Sequence, residues 1–320
     1  MDLEILICTH NRRPLLQRVV RSILAADLPA KFSIGLFVVA NGCSDDTEDL
    51  LRSWEKDKTY FGNVAFRWQR VLELGKSVAL NKSVSDIRAP VVAFVDDDHR
   101  VHHRYFYAIH EAINRFPNIA LFCGRILPDW DAREPCWVHD EGPYRIYPLP
   151  VPRYEQGDVL GPLSESASTP GGGNLFMRTE LIAKVGEFKT NLGPVGHNLG
   201  GAEDIEWVRR AVAQGTQIYY TPDAIQYHYV DTQRLTTRYL MKKAFERTSS
   251  TIKVMPEADN DIYGKIPIYT LRKSIVYALK AFSSLTAARR RYYLVRTAAA
   301  LGEVDGFRYR AAFSKTQGST

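Results

Sequence analysis

The segment Val91–Arg100, VVAFVDDDHR, restricts the fold of this chain more than any other. Five apolar residues run without a break into three consecutive aspartates, Asp96, Asp97 and Asp98. A short apolar run bounded by polar residues reads as a buried strand of a parallel sheet. Its carboxylates then stand at the C-terminal end of the strand, where open α/β sheets hold their ligands. Adjacent carboxylates repel one another, so the arrangement asks for a cation. Oxygen ligands of this kind suit Mg2+ or Mn2+, and such ions commonly bridge to substrate phosphates. The same residues also suit a charged loop that caps the next helix.

The flanking sequence surrounds this strand with strand–helix units. Leu3–Cys8 is a strand, and the turn Thr9–Arg13 leads to a helix with Pro14 in its first turn and Leu16, Val19, Val20, Ile23 and Leu24 on one face. Ile34–Ala40 is a second strand; in the turn after it Asp45 suits an N-cap, with Glu48 completing a capping box. Val64–Val71 is a third strand, and Gly75–Ser85 is a helix opened by Gly75-Lys76. Three such units predict a doubly wound sheet. Beyond it, His102–Phe116 reads as a helix and Ile119–Ile126 as a strand. Residues 128–170 are rich in proline and carry Trp130, Trp137, Tyr144, Tyr147 and Tyr154. So long an irregular stretch suits a lid whose aromatic faces stack on a sugar, or a loop that its aromatics simply anchor. A glycine turn, Gly171-Gly172-Gly173, feeds a short strand and lets backbone approach a ligand. The helix Thr179–Val185 and a second glycine-rich stretch, Gly186–Gly201, follow. Glu203-Asp204 opens a helix ending at Gln214, and two strands, Gln217–Thr221 and Ala224–Tyr229, close the pattern with His228. First-turn acids also suit the helix dipole, and a histidine near a strand end often serves structure alone.

At 320 residues, with 45% apolar and 24% charged residues, the chain can bury a full core. No apolar run approaches the roughly 18 residues of a spanning helix. The four cysteines lack metal-ligand spacing and read as free thiols, which fits a cytoplasmic protein. The net charge of +6 is uneven: residues 231–320 hold 17 Lys and Arg against 7 Asp and Glu, and residues 1–230 are net acidic.

In their order along the chain these parts resemble the family 2 glycosyltransferases with the GT-A fold. The resemblance covers roughly residues 3–230 and rests on ICTHNR, VVANGCSDDT, GKSVALN, FVDDDH, GGGNLFMR with VGEF, the Glu203-Asp204 pair and His228. It implies a Rossmann-like, mainly parallel α/β sheet in a catalytic domain of residues 1–230. Its nucleotide-sugar half would be about 1–100 and its acceptor half about 101–230, with 231–320 as a helical extension. Thr9, Asn11, Arg12, Lys76 and Asp97 would line the nucleotide site. Asp96 matches the ribose-side acid, within reach of the ion, and Asp98 and His228 match metal ligands. Gly173 would approach the donor sugar; Asp204 matches the general base, with Glu203 contacting the acceptor or orienting its neighbour. The family's usual acid after the second strand is replaced by Ala40, which leaves base selection to Asn41, Lys76 or backbone groups. The resemblance thus implies inverting, Mn2+- or Mg2+-dependent transfer from a nucleotide sugar, UDP-linked in the first instance. The acceptor would be a saccharide or lipid-linked saccharide hydroxyl in polysaccharide or glycolipid biosynthesis.

The chemistry asks for the same groups. Displacement at an anomeric carbon passes through an oxocarbenium-like state, a departing diphosphate is stabilised by a Lewis acid, and the attacking hydroxyl must lose a proton. A nucleotidyltransferase would also use aspartates after a strand, but its glycine-bearing loop after the first strand is missing from Thr9–Arg13. A non-catalytic sugar-nucleotide-binding module has no need of Asp98, Asp204 and His228 together. In the tail, Leu235–Val254 reads as a helix, and Leu271, Ile275, Leu279 and Phe282 share a face of another. With Lys273, Lys280 and Arg289–Arg291 beside them, they suit either peripheral binding to an anionic membrane or packing on the core or on a second subunit. No nucleic-acid motif accompanies the charge.

Overall fold

The computed structural model describes residues 1–57, 59–190, 203–254 and 266–317, with 254 and 311–317 described by backbone alone. Most of the second glycine-rich stretch, residues 191–202, lies outside the described residues. The chain forms two units, Met1–Asp129 with Pro152–Tyr229, and Trp130–Val151 with Val230–Thr320.

The first unit is built on one sheet. Strands β1 (Leu3–Thr9), β2 (Ile34–Asn41), β3 (Ala65–Val71) and β4 (Val91–Phe94) lie parallel in the order β3-β2-β1-β4. Helices α1 (Arg13–Leu24), α2 (Thr47–Lys56) and α3 (Lys76–Val84) connect them in turn. The short strands β5 (His99–Val101) and β7 (Gly161–Pro162), with β6 (Leu121–Asp129), β8 (Leu175–Arg178) and β9 (Ile218–Tyr229), make the other half mixed. There β8 runs antiparallel to both β4 and β6, β9 runs parallel to β6, and β5 runs antiparallel to β9.

Burial follows the two-residue period of the strands. Leu3, Ile5 and Ile7 face Leu16, Val19, Val20 and Ile23 of α1, together with Phe106 and Ile109 of α4 (Tyr105–Arg115). Leu6, Phe37, Val39, Val92 and Phe94 face the other way, toward α3, α5 (Glu180–Val185) and Trp207 and Val208 of α6 (Glu203–Ala213). Both faces of the parallel half are therefore covered, as the unbroken apolar run of β4 requires.

Three local expectations change. Residues 218–229 form one strand, because a register shift opposite Gly124 and Arg125 takes up the extra residues that looked like a break. Helix α4 begins at Tyr105 rather than His102, since the His102 N–H still bonds Ile225 O of β9 at 3.0 Å. The capping box does not form. Asp45 Oδ1 accepts the Thr47 N–H at 3.1 Å, Asp46 takes the N-cap position without a side-chain bond, and Glu48 is held between Arg52 and Arg70.

Two asparagines fasten the turns at the C-terminal edge of the sheet. Asn11 Oδ1 accepts from the backbone N–H groups of Ser44 (2.7 Å) and Asp45 (3.2 Å), tying the β1–α1 turn to the β2–α2 turn. Buried Asn41 donates to Glu73 O at 2.6 Å and accepts from Gly75 N–H at 2.9 Å, so it sets the start of α3 and with it Lys76.

In the second unit α7 (Thr237–Val254) and α8 (Ile268–Phe282) each pack on α9 (Ala287–Gln317). Anchoring, rather than a free stacking surface, describes most aromatics of the irregular stretch. Arg291 lies 4.4 Å over the Trp137 ring and bonds Asp140 at 3.1 Å, and Tyr144 meets Tyr292 and Tyr293 edge-on or tilted. Within the first unit, Tyr154 donates to Ser168 O at 3.0 Å. Tyr147 is exposed.

Because the Asn41 amide is engaged on backbone groups, Asn41→Ala is expected to lower unfolding free energy by about 1–3 kcal/mol in a urea melt, the usual penalty for orphaned buried polar groups. An unchanged melt would mean that the amide is free to serve a ligand.

Candidate active site

Beyond β4 the backbone keeps one more ladder bond, Val95 N–H to Leu6 O at 3.2 Å, and then turns through the three aspartates. Asp96 O accepts the His99 N–H at 3.0 Å, and Asp98 O accepts the Tyr229 N–H at 2.8 Å, so the end of β9 pins the turn. The carboxylates are shared between two cations. Lys76 Nζ lies 2.7 Å from Asp96 Oδ1, and Arg12 Nη1 lies 2.9 Å from Asp97 Oδ1 and 3.0 Å from Asp98 Oδ2.

Ionisation follows this pairing. Burial opposes the charged form of Asp96, yet Lys76 and His99 outweigh it and hold the carboxyl well below the usual carboxylate range. Burial also opposes the charge on Lys76, and Asp96 reverses this, holding the ammonium above the usual lysine range. For Asp97 burial wins against Arg12 and pushes the carboxyl up to about 6. Burial likewise pushes the nearby Cys8 up to about 12, so it remains a thiol.

The third aspartate faces two histidines. In the β5–β9 pair His99 stands directly opposite His228, which puts both rings on one face, their centroids 4.9 Å apart. Asp98 Oδ2 is 3.7 Å from His228 Nε2, and Asp98 Oδ1 is 3.9 Å from His99 Nε2. The tautomers follow from the partners. His228 Nδ1 is 2.6 Å from Tyr229 O, which can only accept, so Nδ1 carries the proton and Nε2 offers a lone pair. His99 Nδ1 is 2.6 Å from Gln226 Oε1. The Gln226 amide nitrogen donates to Phe94 O, to the Tyr105 hydroxyl and to Asn174 Oδ1. That leaves Oε1 as acceptor, so His99 Nδ1 carries a proton and Nε2 is the ring nitrogen turned toward Asp98. Burial lowers the pKa of His228 despite Asp98, which keeps it neutral.

Two imidazoles and a carboxylate, with ligand atoms within 4.8 Å of one another, form a group able to hold a divalent ion. Asp96 is not among these three and is paired with Lys76.

The glycine turn passes between the aspartates and α6. A Cβ on Gly173 would come within 2.7 Å of Asp96 Oδ2 and 2.8 Å of His99 Cε1, and one on Gly172 within 2.9 Å of Asp204 Cβ. Gly172 N–H donates to Asp204 Oδ2, and Asp204 Oδ1 accepts from Ile205 N–H at 2.7 Å. Glu203 is buried, which raises its pKa, and its Oε2 has no hydrogen-bond partner among the described residues. Lys76, Asp96, Gly172, Glu203 and Asp204 line one cleft with an apolar floor of Leu6, Leu80, Phe94, Leu175 and Phe188, about 390 Å3 including its open mouth.

The structure thus gathers Arg12, Lys76, Asp96, Asp97, Asp98, His228, Gly173, Glu203 and Asp204 around the ends of β4, β8 and β9. Thr9 is buried beside Asp97, and Asn11 and Asn41 have their amides tied to backbone, so these three brace the site. Sequence reasoning missed His99 and Gln226. A three-residue strand has no legible period, and only its pairing with β9 places His99 opposite His228.

A family model described as glycosyltransferase-like family 2 matches residues 2–249. Among solved structures, S. aureus TarS 1–349 in complex with UDP-GlcNAc is similar at TM-score 0.54 and 13% identity, over 99% of this chain and 92% of that one. A longer S. aureus TarS chain is similar at TM-score 0.53 and 14% identity, with 55% of its length covered. A mannosyltransferase from Pyrobaculum calidifontis in complex with GDP-Man and Mn2+ is similar at TM-score 0.52 and 14% identity, over 98% of this chain and 88% of that one. At these identities the likeness is one of fold. No curated protein matches the chain in sequence.

Gly173→Ala should displace Asp96 or the His99 ring and so weaken Mn2+ binding about tenfold, the lower end of what disturbed supporting contacts cost a metal site. Titration calorimetry on the folded variant checks this; unaltered Mn2+ affinity would show that the turn yields instead.

Proposed function

The chain belongs to the glycosyltransferase-like family 2, and on that premise we propose that it moves a sugar, with inversion, from a nucleotide-sugar donor to a hydroxyl acceptor. One observation carries this reading: the Lys76–Asp96 pair, Gly172, Glu203 and Asp204 line a single cleft. The groups for a departing diphosphate and for an attacking hydroxyl thus face one space. In this reading the nucleotide side draws on residues of about 1–100 and the acceptor side on residues of about 101–230.

Asp98, His99 and His228 would hold a divalent ion, and the two imidazole donors favour Mn2+ over the oxygen-preferring Mg2+. When bound, that ion supplies Lewis-acid stabilisation of the leaving diphosphate. The chain's own residues do the remainder. Lys76 and Arg12 turn from the aspartates toward donor phosphates, and the apolar floor beneath them excludes water. The Gly172-Gly173 turn lets the sugar approach the backbone closely. Asp204, held in place by the Gly172 and Ile205 N–H groups, takes the acceptor proton at a carboxylate oxygen. Such a base contributes ~10²–10⁴-fold. UDP is the first donor nucleotide to test, since one similar structure holds UDP-GlcNAc; GDP is the second, since another holds GDP-Man.

One observation favours a second assignment of the base. Glu203 has an unpartnered buried oxygen and a raised pKa, both suited to proton abstraction near neutral pH, whereas both Asp204 oxygens accept backbone N–H groups.

Calorimetry with Mn2+ and UDP, alongside turnover, tests the reading. Asp98→Ala and His228→Ala are expected to weaken Mn2+ and nucleotide binding together by about tenfold or more. Asp204→Asn should spare both and lower kcat by about 10²-fold or more. If Glu203→Gln shows that kcat loss and Asp204→Asn does not, Glu203 is the base. Release of pyrophosphate in place of nucleoside diphosphate would make the enzyme a nucleotidyltransferase, and nucleotide binding without turnover would leave a binding module.

A further inference from the structure

Helix α8 is oriented against its own amphipathic pattern. Thr270, Ser274 and Ala281 are buried, and Lys273 Nζ bonds Glu303 Oε1 of α9 at 2.6 Å. The opposite face carries Ile268, Ile275, Leu279 and Phe282, which are 82%, 61%, 63% and 93% exposed, and Leu285 in the next turn is 99% exposed. Their spacing of three, four and seven residues makes one continuous apolar stripe. A contiguous exposed stripe of this kind marks an interaction surface, unlike scattered single apolar residues.

Charge identifies the occupant. The 41 residues 262–302 hold eight Lys and Arg and no Asp or Glu. Some of that charge is engaged within the second unit: Lys273 by Glu303, Arg291 by Asp140, and Arg289 over the Tyr144 ring. Arg272, Lys280 and Arg290 are exposed and meet no carboxylate among the described residues. Pairing of α8 with α8 of a second copy would bring the same cations against one another. Nucleic acid would leave Phe282, Leu285 and the aliphatic stripe without a partner. An anionic lipid surface accommodates both features, taking apolar side chains at the acyl boundary and cations among the headgroups. No helix among the described residues is long and apolar enough to cross a membrane, so α8 would lie on it.

We propose that α8 is an interfacial helix that docks the protein on an anionic bilayer through Ile268, Ile275, Leu279, Phe282 and Leu285, with Arg272, Lys280 and Arg290 at headgroup level. Docking does not depend on the transfer reaction. Joined to it, docking selects a lipid-linked saccharide as the acceptor class.

Co-sedimentation of the full chain with vesicles tests the proposal, using phosphatidylglycerol–phosphatidylcholine mixtures and phosphatidylcholine alone, with solution mass by light scattering. The chain should sediment with the anionic vesicles only. Raising ionic strength from about 0.1 M to about 1 M, which shortens the Debye length from about 10 Å to about 3 Å, should lower the bound fraction about fivefold or more. Ile275→Glu and Leu279→Glu, at exposed positions, should leave the thermal melt unchanged and lower binding about tenfold. Arg272→Glu with Lys280→Glu should lower it about fivefold. Absence of sedimentation with anionic vesicles at low salt overturns the proposal, and so does equal binding by the variants and the parent chain. A lipid-free dimer that Leu279→Glu dissociates would assign the stripe to a second copy and overturn it equally.

Discussion

Three adjacent carboxylates at the end of one buried strand repel one another, and the rest of the first unit is arranged to relieve that repulsion. Arg12 comes from the turn after β1 and Lys76 from the first residue of α3, so each cation reaches the aspartates only if its strand–helix unit closes in the observed order. The histidines facing Asp98 arrive from the far half of the sheet, on β5 and β9. Arg12 and the candidate ion group therefore share Asp98, while Lys76 is paired with Asp96. Donor phosphates would enter the same balance, because they compete with the aspartates for Arg12 and Lys76.

The geometry is held by buried amides more than by charges. Asn41 sets the start of α3, Asn11 ties two turns together, and Asn174 with Gln226 and Tyr105 forms a closed buried network ending on His99. In that network Asn174 also donates to Arg125 O and Ala224 O, so both ends of its amide are satisfied. A satisfied buried network is stiff, and an orphaned member of it is costly. Such a support fixes which His99 nitrogen faces Asp98, which matters more to ligand chemistry than the mere presence of a histidine. The glycine turn adds a steric condition, since a Cβ at Gly173 would occupy space held by Asp96 and His99.

The second unit follows a different rule. Its helix α8 buries the small residues Thr270, Ser274 and Ala281 and leaves an apolar stripe outward, the reverse of what hydrophobic patterning alone predicts. The aromatics of the irregular stretch show the same point from the other side. Trp137 and Tyr144 are engaged by Arg291, Arg289 and the tyrosines of α9, which removes them from service as a stacking surface for sugar.

Much of the fold was legible in the sequence, because strand and helix periods are local properties. The apolar run of β4, the amphipathic face of α1 and the glycine turn before β8 each report their own environment within about ten residues. Residue type also bounds the chemistry open to Asp98, Lys76, Glu203, Asp204 and His228, and that much is a local property. What the sequence left open was decided by pairing over long separations. His99 meets His228 across 129 positions, Asn174 meets Gln226 across 52, and the outward stripe of α8 depends on which face α9 accepts. A side chain's donors and acceptors can be counted from its identity. Which groups meet them is set only when distant strands and helices come together, as when Asn11 and Asn41 meet the backbone of distant turns and Asp96 meets Lys76.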